Sequence, residues 1–243
     1  MKNWLLITCE HGGNRVPRRY AHLFRPWRRR LETHRGFDFG ALRTARAISE
    51  YFDAPLVAST ATRLLVDLNR SVGHRDMSLV SPEMSPVERE QMLRDCYLPY
   101  RTEVESLVAK AIGRGRRVVH ISSHSFTPRL HGKVRRADVG LLYDPVRPGE
   151  SALCRLWKAA IKRVAPELRV RRNYPYYGKG DGLTSHLRLC HSPDAYIGVE
   201  LEINQALVTG AKSRWTRLRA SVIESLRLTL ESESRPVSGA HSG

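Results

Sequence analysis

The stretch WLLITCEHGGNRVP, Trp4 to Pro17, carries the first decision about the fold. Trp4–Thr8 is a short apolar run that reads as a buried strand. It breaks off into Cys9, Glu10, His11, Gly12, Gly13 and Asn14. A turn uses the glycines, but it has no need of a carboxylate and an imidazole beside them. Ionisable groups delivered where a strand ends suit an open α/β sheet, in which sites form outside the carboxyl ends of the strands.

Working outward, similar short runs predict further strands at Pro55–Ser59, Leu64–Leu68, Arg117–Ser123, Val139–Tyr143, Leu168–Arg172 and Ala195–Ile203. Helical periodicity marks Phe37–Phe52, with Phe37, Ala41, Leu42, Ala45, Ile48 and Tyr51 on one face. Ser85 followed by Pro86 is a helix start. That helix is expected to reach about Ile112, with a bend at Pro99, and to stop at Gly113. Ser151–Val164 and Ala211–Leu230 are the remaining helices, and Tyr174–Leu183 is a Gly-rich aromatic loop. Strands alternating with helices predict one α/β domain over residues 1–230, with a mostly parallel sheet covered by helices on both faces. The polar tail, residues 231–243, is expected to be disordered.

An apolar share of 41% in 243 residues is enough for a sizeable core. No apolar run approaches the length of a membrane span, and Trp4–Thr8 is too short for a signal peptide. A cytoplasmic protein is the expectation. Cys9, Cys96, Cys154 and Cys190 lie far apart with no C-x-x-C, so reduced thiols are expected. The formal net charge is +17, with basic runs at Pro17–Arg30, Arg114–Arg117 and Arg169–Arg172. Such a balance attracts anions. No nucleic-acid-binding signature accompanies it, and a solvated, arginine-rich surface is the simpler reading. A basic nucleic-acid- or anion-binding protein without a catalytic metal is the alternative of a different class.

The chemistry collects after the strands. Glu10, His11 and Asn14 follow the first. Asp67, Asn69 and Arg70 stand at the Leu64–Leu68 run, His124, Ser125 and Thr127 after Arg117–Ser123, and Glu200 and Glu202 close the last strand. Two residues apart on a strand, Glu200 and Glu202 share a face. Two histidines and a carboxylate round an open position form the ligand set of a hydrolytic zinc site. A further carboxylate would serve as general base. His11 and His124 are the natural imidazoles. For the third ligand Asp38, Glu10 and Asn14 all stand open.

Seven stretches, in order along nearly the whole chain, resemble the N-formylglutamate amidohydrolase family. They are CEHGGNRVP (Cys9–Pro17), FDFGA (Phe37–Ala41), LLVDLNRS (Leu64–Ser71), HSFTP (His124–Pro128), VGLLYD (Val139–Asp144), NYPYYG (Asn173–Gly178) and GVELEINQ (Gly198–Gln205). The resemblance implies an α/β core with a mixed sheet, related to the carboxypeptidase and aspartoacylase folds, and one Zn2+ per chain. It implies a small-molecule N-acyl amino acid as substrate, foremost N-formylglutamate, cleaved to formate and glutamate. A related amidohydrolase or carboxypeptidase-like enzyme on another N-acyl amino acid or peptide is the alternative. Carried over by motif, His11, Asp38 and His124 are the zinc ligands and Glu202 is the general base. Arg70, with Asn69, holds a substrate carboxylate. Tyr176, His186 or Arg188 supplies an oxyanion donor, Asn14 contacts substrate or supports the ligands, and Glu10 becomes a partner of the ligands. Many members carry Arg where this chain has Asn204, which leaves recognition of a second carboxylate open. Neither a nucleic acid nor a membrane is expected as partner, and the sequence leaves the oligomeric state undetermined.

Overall fold

Six strands form one sheet in a computed structural model that describes residues 1–234. They are β1 (Asn3–Cys9), β2 (Leu56–Ala58), β3 (Arg117–Phe126), β4 (Val139–Leu142), β5 (Val170–Arg172) and β6 (Tyr196–Asn204). The spatial order is β2-β1-β3-β6-β4-β5. Every neighbouring pair is parallel except β4 with β6, so the sheet is mixed and mostly parallel. β3 and β6 lie at the centre and pair from Val118 with Tyr196 to Phe126 with Asn204. Both strands are buried on both faces, which is why they read as apolar runs rather than as alternating ones.

Two layers of helices cover the sheet. Ile7 and Cys9 of β1 face α1 (Ala41–Phe52), α4 (Pro148–Val164) and α6 (Lys212–Ser234) across one core. Leu6 of β1 faces the other core, built from α3 (Leu98–Gly113), α5 (Leu183–Cys190), Tyr20, Phe24 and the Leu64–Leu68 segment. α2 (Pro86–Met92) leads into α3, and Ser85 opens it with a full capping box to Glu88. Pro99 has no N–H to give. The chain answers with a π-type turn at Leu93–Tyr97, where the Leu98 N–H reaches the Leu93 carbonyl.

Several expectations need correction. Leu64–Leu68 is no strand but a chain of turns. It is apolar because Leu64, Leu65, Val66 and Leu68 are buried in the second core. The helix expected from Phe37 begins only at Ala41, after Gly40 at φ 79°, and Asp38 sits in the turn before it. Tyr51, placed on the buried face by periodicity, is exposed. β3 runs three residues past Ser123, so His124 lies within the strand rather than after it. The end of the Gly-rich loop is a helix, α5, whose start is fixed by Asn69 rather than by a local cap. Residues 231–234 of the expected tail continue α6, and the rest of that tail lies outside the described residues.

Gly12 and Gly13 also allow a close approach of backbone. A Cβ on Gly12 would lie 2.7 Å from the Ser59 carbonyl oxygen, and one on Gly13 would lie 2.8 Å from that of Thr60. They admit the backbone that follows β2. Among the described residues no helix is long and apolar enough to cross a membrane, and all four cysteines are free thiols.

Candidate metal centre

The polar groups gather at the carboxyl ends of β1, β3 and β6. On β3, His120, Ser122 and His124 alternate onto one face. The parallel register sets His124 beside Glu202, and Ser122 beside Glu200. His11 follows β1, and its carbonyl accepts the Asp38 N–H at 2.9 Å. That bond brings the turn before α1 to the end of β1.

One geometry organises the cluster. His11 Nδ1 lies 3.3 Å and His124 Nδ1 3.0 Å from the same oxygen, Asp38 Oδ2. The opposite nitrogens are held from outside. His11 Nε2 is 2.7 Å from Asp67 Oδ1, and His124 Nε2 is 3.1 Å from Glu10 Oε2. Glu10 is itself anchored by the Ser122 and Tyr100 hydroxyls, which donate to it at 2.6 and 2.8 Å. A carboxylate on the outer nitrogen of a histidine fixes the tautomer and aims the inner nitrogen, as around bound metals. His11, Asp38 and His124 each offer a ligand atom, and these atoms all lie within 4.8 Å of one another.

The electrostatics point the same way. Glu10, Asp38, Asp67 and Glu202 are all buried. Against these four carboxylates stands one guanidinium, Arg63. It donates to Asp67 at 2.6 Å and to Asp38 at 3.2 Å. Burial penalises the charge on Asp38 and Asp67, yet the histidines and Arg63 outweigh it and hold both carboxyls below their ordinary range. Burial pulls His11 and His124 down, but the carboxylates around them reverse this and leave both raised. Buried carboxylates that favour the charged form of two neighbouring imidazoles would also favour a cation held between them.

Glu202 behaves differently. Its Oε2 is buried with no hydrogen-bond partner. Burial, joined by Asp38 and Glu200 against the opposing His124, pushes its carboxyl up to about 8. Opposite it on β4 is Gly140, where a Cβ would come within 3.2 Å of Glu202 Cβ and 2.0 Å of the Tyr174 carbonyl. Glycine there lets the aromatic loop close over this end of the sheet. Glu200, on the same face, instead accepts from Thr184 of α5 at 2.9 Å.

The remaining residues singled out from the sequence divide. Tyr176, 46% exposed, feels the carboxylates of the cluster: partial burial first, then Glu202 and Asp38, raise its phenol, and the phenol oxygen accepts from Arg135. Arg70 lines, with His34, Arg35, Arg63, Asp67, Asp76, Leu79 and Leu130, a cavity of ≈ 350 Å³ that forms a mouth on the Arg63 and Asp67 side of the cluster. Its Nη1 donates to the Asp181 carbonyl at 2.5 Å. Asn69 accepts the Leu183 N–H and so starts α5. Three others are committed elsewhere. Asn14 donates to the Leu31 carbonyl and to Glu32. His186 pairs with Glu105 at 3.0 Å. Arg188, buried, donates to Glu150 and to the Gly178 and Gly198 carbonyls. None of their partners belongs to the cluster. Arg63, Asp67 as a histidine partner, and Arg135 went unrecognised in the sequence. Arg63 lies four residues before Asp67, just ahead of a run that reads as a strand, and nothing local in the sequence assigns a role to its side chain.

The sequence model of the N-formylglutamate amidohydrolase family matches residues 4–209. Among solved structures, a gene product of Agrobacterium tumefaciens is 30% identical, with 95% of this chain and 92% of that chain covered and a TM-score of 0.81. An N-formylglutamate amidohydrolase from Ralstonia eutropha JMP134 has the same fold at 17% identity, with 96% and 95% covered and a TM-score of 0.68. No curated protein matches the chain significantly.

Proposed function

The chain belongs to the N-formylglutamate amidohydrolase family, and from that premise we propose that it is a zinc-dependent hydrolase of the N-formyl bond of an amino acid, with N-formylglutamate as the leading substrate. The observation that carries this reading is the convergence of His11 Nδ1 and His124 Nδ1 on Asp38 Oδ2, inside a cluster with four buried carboxylates and one guanidinium. The donor set fits zinc: two imidazoles and one carboxylate, each imidazole backed by a second carboxylate. His11, Asp38 and His124 would hold the ion, which when bound polarises the scissile carbonyl and acidifies a water.

The chain's own groups do the rest. Glu202, with a buried and unpartnered Oε2, takes the proton of the attacking water and gives it to the leaving nitrogen. A buried carboxyl with one unpartnered oxygen, its proton affinity raised by burial, is suited to taking up and handing on a proton. The Arg63 guanidinium stands beside Asp38 and reaches the mouth, so it can balance negative charge growing on the carbonyl oxygen. Arg70, at the same mouth, keeps donors beyond the one given to Asp181 and binds the amino-acid carboxylate. Binding at that remote group positions the scissile bond.

A panel of N-formyl, N-acetyl and N-succinyl amino acids, assayed for amine release by the zinc-loaded chain, tests the proposal. Fastest turnover of the N-formyl compounds is expected. Preference for N-acetyl or N-succinyl compounds would move the chain to a neighbouring amidohydrolase activity. No turnover of any of them would overturn the reading.

A further inference from the structure

One run of buried polar side chains has no part in the reaction proposed above. Thr8 of β1, His120 of β3 and Tyr196 of β6 are wholly buried. His120 Nε2 lies 2.8 Å from Thr8 Oγ1, and His120 Nδ1 lies 2.7 Å from the Tyr196 hydroxyl. The Thr8 hydroxyl also hydrogen-bonds Glu10, the carboxylate that stands against His124 Nε2. The sheet makes room for this run. In the parallel register Gly198 stands beside His120, and a Cβ there would lie 2.7 Å from Tyr196 Oη. Glycine at that place lets the Tyr196 phenol lie forward along β6 and reach His120. Apolar side chains of similar shape would fill the same space without desolvating three polar groups, so the run needs a reason beyond packing.

Its hydrogen bonds have one direction. Among the described residues the Tyr196 hydroxyl has no hydrogen-bond partner besides His120, so its proton points at Nδ1. Burial pulls the His120 imidazole down to about 4 and holds the Tyr196 phenol above its ordinary range, which keeps the ring neutral and the phenol protonated. A neutral imidazole carries one proton. With Nδ1 accepting, that proton sits on Nε2 and is donated to Thr8 Oγ1. The single proton of the Thr8 hydroxyl is then left for Glu10, which also accepts from Ser122 and Tyr100. Every donor in the run points towards the carboxylate that aims His124.

We propose that His120, as its Nε2–H tautomer, is a positioning residue of the metal centre: the run Tyr196–His120–Thr8 directs the Thr8 hydroxyl onto Glu10 and so fixes Glu10 against His124. This rests on the metal-centre reading above and extends it to residues that touch neither ion nor substrate.

Nitrogen chemical shifts of the full zinc-loaded chain read the tautomer directly. His120, identified by the signal lost in His120→Gln, should be protonated at Nε2; protonation at Nδ1 overturns the proposal. Competition with a chelating dye reads the consequence. His120→Leu removes the donor to Thr8 and should weaken zinc binding by about tenfold, the lower end of what the partners of metal-binding histidines contribute. His120→Gln, whose amide N–H can reach Thr8, should stay within about threefold of wild type. On a Glu10→Ala background the further loss from His120→Leu should fall within about twofold, because the group it acts through is gone. Additive losses, or wild-type zinc affinity in a folded His120→Leu chain, overturn the proposal. If His120→Leu does not fold, Tyr196→Phe carries the same two readings. It removes one oxygen and frees the tautomer, and should weaken zinc binding by about threefold or more, again only while Glu10 is present. If this coupling is found but no N-acyl compound is hydrolysed, the inference stands and the hydrolase reading falls. If hydrolysis proceeds and zinc affinity ignores His120, the reverse holds.

Discussion

Replacing Glu202 by Gln gives the most quantitative prediction, because it separates the residue's burial from its chemistry. The folded-state pKa of Glu202 lies at about 8 against an ordinary 4.5, with burial as the main cause. The sign follows from proton linkage. A carboxyl raised on folding leaves the protein fully stable below about 4.5, and stability is lost as the pH rises through 8. At about 1.4 kcal/mol per pH unit the interval corresponds to a ceiling of about 5 kcal/mol. Gln cannot ionise, so Glu202→Gln escapes this loss. Urea denaturation of the chelator-stripped proteins should show the variant gaining on wild type from pH 5 to pH 8.5, by a few kcal/mol in all. Below pH 4.5 the difference should flatten. Any fixed cost of seating the amide cancels, because only the pH-dependent part is read. The same variant, loaded with zinc, should bind the metal normally and lose about 10²- to 10⁴-fold in kcat. A stability difference that stays constant with pH, or one that grows in favour of wild type, would refute the burial argument. Full turnover would refute the role of base.

Glu10→Gln removes the carboxylate that aims His124, and should weaken zinc binding by about 10- to 100-fold in a competition assay with a chelating dye. Arg63→Ala should lower kcat by about 10²- to 10³-fold with a smaller change in KM; loss in KM alone would make Arg63 a substrate anchor instead. Glu150 is buried and accepts from Arg188, from the Gly198 N–H and from the Asp144 N–H. Glu150→Ala leaves Arg188 charged and unpaired inside the protein, and should cost about 3–5 kcal/mol in chemical denaturation. An unchanged midpoint would show that water replaces the pair.

The strands of the central sheet were legible because each is a short apolar run with a clear stop. The same rule failed at Leu64–Leu68, because a buried turn and a buried strand have the same apolar composition. Only tertiary position separates them: this segment packs into the second core and lays Asp67 against His11, with Arg63 just before it paired to Asp67. α5 was hidden for a related reason. Its start is fixed by Asn69, more than a hundred residues away in sequence. At the site, His11, His124 and Glu202 stood out as ionisable groups at the ends of apolar strands, and the structure brings them together with Asp38. Their supporting partners did not stand out. Asp67 and Glu10 act on outer ring nitrogens across 56 and 114 positions of sequence, and such pairings leave no local pattern. His186 and Arg188 look equally available in the sequence. Once α5 forms, one turns to Glu105 and the other is buried on Glu150.

Formate release is the most direct measurement of the whole account. The chelator-stripped chain, titrated with zinc in the presence of N-formylglutamate, should release formate at a rate that rises with bound zinc and saturates at one ion per chain. Formate release that is undiminished in the stripped chain, or absent from the chain carrying one zinc, would contradict it.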